Sequence, residues 1–261
     1  MFRFFRKLRQ SMFQNGDTSK YFKYAIGEIA LVVIGILIAL QINNWNENRK
    51  LRLQELKYLK NLKTDIKLEL KNNDSIINYR SITAKAAAHL LDYKLLSSGE
   101  DLMKFELTIN QVFRRNTFIP TNNTYKELLS SGNLNFITND SIKDYLLELD
   151  KKYVFIANME HHMYREYEEY LYNVAVFNND IINLFDIQET ANLGVITLQK
   201  PSEIEFQTII PQYKKLLDRK EFKNGLRLSV MNNINLKNIH SDMIFQLQKL
   251  IEFIDKELTN D

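Results

Sequence analysis

The sequence predicts an all-α protein: a single N-terminal transmembrane helix continuing into a long stalk helix, followed by an elongated antiparallel helical bundle. Three observations lead there. One apolar run, Tyr24 to Trp45, stands near the N-terminus and has no counterpart elsewhere in the chain. Glycine and proline are scarce, 7 and 3 in 261 residues, against about 7% and 5% in ordinary proteins. The remainder carries apolar residues at three- and four-residue spacing over long stretches, the period of an amphipathic helix.

The apolar run comes first. Tyr24–Ile42 is 19 residues, roughly 28 Å as a helix and close to the ~30 Å hydrocarbon thickness of a bilayer. A buried core helix normally keeps a polar stripe, whereas Ile26–Leu40 is apolar on every face except at Glu28. Tyr21, Phe22 and Tyr24 flank one end and Trp45 the other, as aromatic belts do. A cleaved signal peptide would end in small residues; here the run ends Leu40-Gln41-Ile42-Asn43-Asn44-Trp45. The segment therefore reads as an uncleaved signal anchor over 24–42.

Residues 1–23 carry six Lys/Arg against Asp17, which orients the N-terminus to the cytoplasm and the C-terminal domain to the periplasm. The opposite flank is basic too, with Arg49, Lys50 and Arg52, but long domains translocate largely regardless of charge. Phe2, Phe5, Leu8 and Met12 fall on one helical side, with Arg3, Arg6 and Lys7 elsewhere. That pattern suits a basic cytoplasmic amphipathic segment lying on membrane lipid, and equally a frayed basic tail. Asp17 or Thr18 is positioned to cap the spanning helix.

Charge is unevenly placed. The formal net charge is +3, but residues 1–23 carry +5, residues 49–71 another +5 and residues 72–261 carry −5. The basic excess lies next to the membrane, and the mildly acidic charge of the distal part argues against nucleic-acid binding there. The absence of cysteine rules out disulfides and thiolate metal sites, and is compatible with a cytoplasm or a periplasm.

Beyond the span, Leu59, Leu62, Ile66, Leu70, Asn73, Ile77, Ala84, Ala87 and Leu91 continue one helix as a stalk over 43–96, ended at Ser97-Ser98-Gly99. A bundle domain over 97–261 is expected to pack with it. Its elements are a short helix at 101–113, a loop around Pro120, a short helix Thr124–Ser131 stopped by Gly132, and a link from Asn133 to Thr138. A long helix capped near Asn139 then runs on a seam of Ile142, Leu146, Leu149, Tyr153, Ile156, Met163, Tyr167, Tyr170, Val174, Phe177, Ile181 and Leu184, loose at Met159/Glu160. Such a seam packs with coiled-coil or bundle geometry. Residues 187–211 read as a loop with helical fragments, Val195–Leu198 lacking a strand partner. Gln212–Leu258 closes the chain with Phe222, Leu226, Ile234, Ile244, Leu247, Ile251, Ile254 and Leu258 inward, and Gly225 as a kink or break.

Two stretches carry a resemblance. KYAIGEIALVVIGILIALQINNWNENRK, Lys23–Lys50, resembles the N-terminal signature of a domain-of-unknown-function family of single-pass membrane proteins of Bacteroidota. TYKELLSSGNLNFITN, Thr124–Asn139, is similar to that family's second block. The resemblance implies a bacterial envelope protein and carries no activity, cofactor or catalytic residue.

Among candidate site residues, Glu28 is the sole ionisable group in the span, and such groups are costly and often functional. It lies about 6 Å inside Tyr24 by helical rise, so an interfacial glutamate is the plainer alternative to a proton-carrying or partner-binding one. Gly27, Gly35 and Ala39 share one helix face, on which a partner span or a second copy can pack closely. Lys60, Lys63, Lys67 and Lys71 form a basic stripe, read as a solvated face with packing against the acidic bundle as the alternative. Glu160-His161-His162 and His162 with Glu166 lack the H-E-x-x-H arrangement, and His89 and His240 have no local companions, so all four histidines are expected at the surface. Tyr164, Tyr167, Tyr170 and Tyr172 offer a binding face, although Tyr167 and Tyr170 also suit the core seam. No phosphate-cradling loop, G-x-S-x-G or cysteine nucleophile is present. The expectation is a non-catalytic, inner-membrane-anchored bundle, without cofactor or metal, that scaffolds or docks a protein partner. The alternative is a ligand-sensing extracytoplasmic bundle acting through a separate membrane partner. A polar-lined pocket between the long helices would favour sensing, and a large exposed apolar patch would favour docking.

Overall fold

The computed structural model describes residues 18–93, 98–176 and 203–259. The architecture is all-α, as the sequence predicts, with no strand among the described residues. The helices are α1 (Thr18–Leu91), α2 (Gly99–Phe113), α3 (Asn123–Ser130), α4 (Asp140–Tyr167), α5 (Asn173–Val176), α6 (Glu203–Asp218) and α7 (Lys220–Thr259). A 3₁₀ turn covers Asn133–Phe136, and a π-helical turn, Glu168–Tyr172, joins α4 to α5. The chain forms two compact units, Met1–Lys57 and Tyr58–Asp261. The amphipathic segment at 1–13, the Asp17/Thr18 cap, the seam residues Phe177, Ile181 and Leu184, and Val195–Leu198 lie outside the described residues or side chains.

In the first unit, α1 is long and apolar enough to cross a membrane. Its most apolar window has a mean hydropathy of 2.5 and none of it is buried.

The second unit is built on three heptad seams. On α1 the inward positions are Leu59, Leu62, Ile66, Glu69, Asn73, Ile76, Arg80, Thr83, Ala87 and Leu90, all buried. On α7 they are Phe222, Leu226, Ser229, Asn233, Leu236, His240, Met243, Leu247, Leu250 and Ile254, also buried. Alternating steps of three and four keep one stripe facing the partner helices. α7 runs antiparallel to α1, since Asn73 meets His240 and Arg80 meets Asn233. It is antiparallel to α4 as well, with Tyr145 beside Phe253 and Glu166 bonded to Asn232.

Several expected core positions move. Ile76 and Leu90 hold the seam rather than Ile77 and Leu91. Ile234 is 45% exposed, and the polar Asn233 takes its inward place. The α4 seam changes register at the π turn. An i→i+5 turn holds one residue more than an α turn, so Tyr170 is 37% exposed and Leu171, at 2%, becomes the core residue. Ala175 likewise replaces Val174 inside.

Gly225 does not break α7, which continues through it. A Cβ there would meet Leu171 Cδ2 at 2.8 Å and Tyr170 Cβ at 2.9 Å, so the glycine admits the π turn. The break expected near Gly225 falls instead at Arg219, between α6 and α7. Residues 203–211, expected within a loop with helical fragments, are helical and run on to Asp218, with Pro211 inside α6. Gly132 ends the α3 region as predicted, with φ +70°, a conformation open to glycine without strain. Asn139 caps α4 by accepting the Ile142 N–H.

Candidate functional site

Two apolar clusters fill the second unit. One gathers α1 from Leu59 to Ile76 with α3, α4 and the C-terminal part of α7. The other gathers Ala87 and Leu90 with α2, the π turn, α6 and the start of α7. A polar belt separates them, with Arg80 and Thr83 on α1, Glu160 on α4, and Ser229 and Asn233 on α7. Asn73 and His240 form a polar layer next to it, inside the first cluster's span.

The belt and its flanking residues hold the α2–α3 loop, whose backbone has no ladder or helix to satisfy it. Along this loop the Tyr79 hydroxyl donates to the Arg114 carbonyl, and Arg80 Nη2 donates to the Asn116 carbonyl at 3.1 Å. The Phe118 N–H donates to both Glu160 oxygens at 3.1 and 3.2 Å. Asn72 reaches the Ile119 carbonyl at 2.7 Å, Glu69 Oε2 accepts the Thr121 N–H at 2.7 Å, and Asp65 accepts the Thr124 N–H at 2.8 Å. The buried acids and amides thus replace the secondary structure that the loop lacks. Arg80 Nη2 and Glu160 Oε1 form a buried ion pair. Burial raises the Glu160 carboxyl, opposed by the Phe118 N–H and the Arg80 guanidinium.

His240 corrects the expectation of a surface histidine: it is 0% exposed. Asn73 turns its amide N–H to the Glu69 carbonyl and leaves Oδ1 for His240 Nδ1 at 2.7 Å. Burial, and then the nearby Arg80 charge, lower the imidazole to about 4, so it is neutral at pH 7. A second buried acid, Glu106 on α2, accepts from the Tyr213 hydroxyl of α6. Burial raises it to about 7, with the tyrosine bond pulling the other way.

At the belt a cleft opens among α1, the α2–α3 loop, α4, the π turn and α7. It encloses about 580 Å³ outside atoms, part of it continuous with solvent. Its walls include Tyr79, Arg80, Arg114, Arg115, Tyr164 and Tyr167, with Met163, Leu171 and Leu228 as apolar surface. The Arg115 guanidinium lies 3.6 Å from the Tyr164 ring centroid, a cation–π contact. The Tyr167 hydroxyl donates to the Phe113 carbonyl at 2.8 Å. Glu166 accepts from Asn232 at 2.6 Å and pairs with His162 at 3.0 Å.

Of the tyrosine face read from sequence, Tyr164 and Tyr167 line this cleft, while Tyr170 and Tyr172 are exposed outside it. His161 and His162 are exposed as expected, as is His89, and no group of three metal-ligating side chains occurs among the described residues. Lys60, Lys67 and Lys71 are solvated, and Lys63 pairs with Asp255 of α7. In the first unit, Glu28 is partly exposed, and a methyl added at Gly27 or Gly35 would meet nothing within 4 Å. Their face with Ala39 is open. Arg80, Arg114, Arg115 and Tyr79 were not singled out by sequence reasoning. The signal for Arg80 was present: the α1 heptad passes through Asn73, Arg80 and Thr83 without a change of step.

A sequence profile described as a family of unknown function (DUF6090) matches residues 28–196. No curated protein and no solved structure matches the chain.

Proposed function

The chain belongs to the DUF6090 family, a family of unknown function, and we propose that it is a membrane-anchored, non-catalytic helical bundle that binds a small ligand and acts through a partner in the same membrane. The cleft at the polar belt carries this reading. The cleft, open in part to solvent, combines apolar walls with a few convergent polar groups, as small-molecule sites do. The perturbed acid beside it, Glu160, spends both oxygens on Arg80 and the Phe118 N–H. That leaves it a structural role and supports a binding site over a catalytic one.

Topology completes the proposal. The basic residues 1–23 favour a cytoplasmic N-terminus and a periplasmic bundle, anchored in the inner membrane of a bacterial envelope. Gly27, Gly35 and Ala39 give the span a face for a partner helix or a second copy. A ligand-binding bundle on one side of the membrane would signal to the other through such a relay.

Hydrogen exchange tests ligand binding without presupposing the ligand. The full chain in lipid nanodiscs is incubated with the sub-kilodalton fraction of a cell extract. Protection of amides 114–118 and 164–171 is expected; unchanged exchange there refutes ligand binding. Alkaline phosphatase fused to the C-terminus is expected to be active, and an inactive fusion at normal expression reverses the topology. The docking alternative finds support in Leu147, Val154 and Phe155, exposed together along α4. Under that reading, crosslinks from Phe155 in cells join one partner protein, and the absence of a specific adduct removes it.

A further inference from the structure

We infer that the cleft at the polar belt takes a small aromatic carboxylate, an inference that rests on the ligand-binding reading above. Charge bookkeeping selects an anion. Both acids in the wall are committed, Glu160 to Arg80 and the Phe118 N–H, and Glu166 to Asn232 and His162. Arg114 and Arg115, exposed at the wall, form no ion pair among the described residues. Arg80, whose side chain is 4% exposed, keeps a buried Nε–H without an acceptor. A cation would instead meet three guanidinium groups against two carboxylates already bonded to neighbours.

The walls select the rest of the ligand. The Arg115 guanidinium carbon lies over the Tyr164 ring, and its remaining N–H groups can offer a fork to a carboxylate. Tyr79, Tyr164 and Tyr167 present ring surface beside Met163 and Leu171, which suits a flat apolar group. The π turn contributes by placing Leu171 in the wall while Tyr167 faces the same space, and such turns are frequent at functional sites.

Calorimetry on the full chain in nanodiscs, with phenylacetate and its neutral isostere phenylacetamide as probes, tests the inference. Phenylacetate is expected to bind saturably and phenylacetamide at least tenfold more weakly. Arg115→Gln is expected to lose at least tenfold for phenylacetate, and Arg115→Lys to fall between, because it keeps the charge without the planar fork. Both variants change an exposed side chain, and an unaltered melting curve verifies their fold. Arg114→Gln provides a second reading should Arg115→Gln melt early. Equal affinity for the two probes, absence of phenylacetate binding, or unchanged affinity in both glutamine variants overturns the inference. Protection of the cleft amides by cell extract without phenylacetate binding removes this inference and leaves ligand binding intact. No protection by extract and no phenylacetate binding removes both.

Discussion

Replacing Glu106 by Gln separates a buried acid's hydrogen bond from its charge. Glu106 is buried and its pKa stands at about 7 against 4.5 when free. A carboxyl raised in the native state holds its proton where the unfolded chain has lost it. The native state therefore binds more protons between pH 4.5 and 7, and stability falls as pH rises through that window. The move from 4.5 to about 7 corresponds to about 3 kcal/mol of stability, fully present below pH 4.5 and lost above pH 7. Gln keeps an acceptor for the Tyr213 hydroxyl and never ionises. Relative to wild type, E106Q should gain about 3 kcal/mol on going from pH 4.5 to pH 8, whatever constant offset the buried amide introduces. Urea unfolding of the full chain in detergent micelles, followed by far-UV circular dichroism at pH 4.5, 6 and 8, reads this difference. An E106Q offset that is the same at all three pH values would refute the reasoning. The effect is hidden in wild type by His240, whose pKa falls to about 4 from 6.5. There the unfolded state binds the extra proton, so stability rises with pH between 4 and 6.5, opposing Glu106.

The remaining predictions concern the belt, the π turn and the span. His240→Gln should remove the acid-side loss, so that the variant weakens less than wild type on acidification from pH 6.5 to 4, by about 3 kcal/mol; an equal loss in both proteins contradicts a buried neutral imidazole. Glu160→Gln leaves the Arg80 charge buried without its carboxylate, and should cost about 3–5 kcal/mol in denaturant unfolding while speeding hydrogen exchange at the Phe118 amide. Gly225→Ala gains about 1 kcal/mol of helix propensity but overpacks Leu171 and Tyr170 by about 1–3 kcal/mol, so a net loss is expected. A more stable alanine variant would mean that the π turn does not need the close approach. For the span, Gly27→Ile and Gly35→Ile should each weaken disulfide crosslinking between cysteine-substituted spans in membranes, and full crosslinking in both would exclude that face. Glu28→Gln should leave the amount of protein in the membrane unchanged while abolishing the activity of a partner complex, once that partner is known from crosslinking.

Long-range periodicity made most of the fold legible. The apolar run, the short helices on either side of Pro120, the Gly132 stop and the Asn139 cap all follow from local rules and stand where those rules put them. Errors arose where a polar residue held an inward position. Reading apolar residues alone shifts the α1 seam to Ile77 and Leu91 and the α7 seam to Ile234, because Arg80 and Asn233 do not look like core residues. Their cost is met by partners remote in sequence: Asn116 and Glu160 for Arg80, and Arg80 for Asn233. The register change at Glu168–Tyr172 was hidden for a similar reason. The π turn is accommodated by a glycine on another helix, Gly225, which local sequence around Tyr170 does not contain.

The sequence by itself determined the helical class, the apolar N-terminal run with its lone acid at Glu28, the charge division between the parts next to that run and distal to it, and the chain's resemblance to its family. These depend on composition and on residues within a few turns of each other. Tertiary structure decided which polar residues lie inside, that His240 is a core imidazole, that Glu106 keeps its proton near neutrality, and that Arg80, Arg115, Tyr79 and Tyr164 share one cleft. Desolvation and convergence are properties of residues brought together from distant parts of the chain, and only the packed helices with their strapped loop create them.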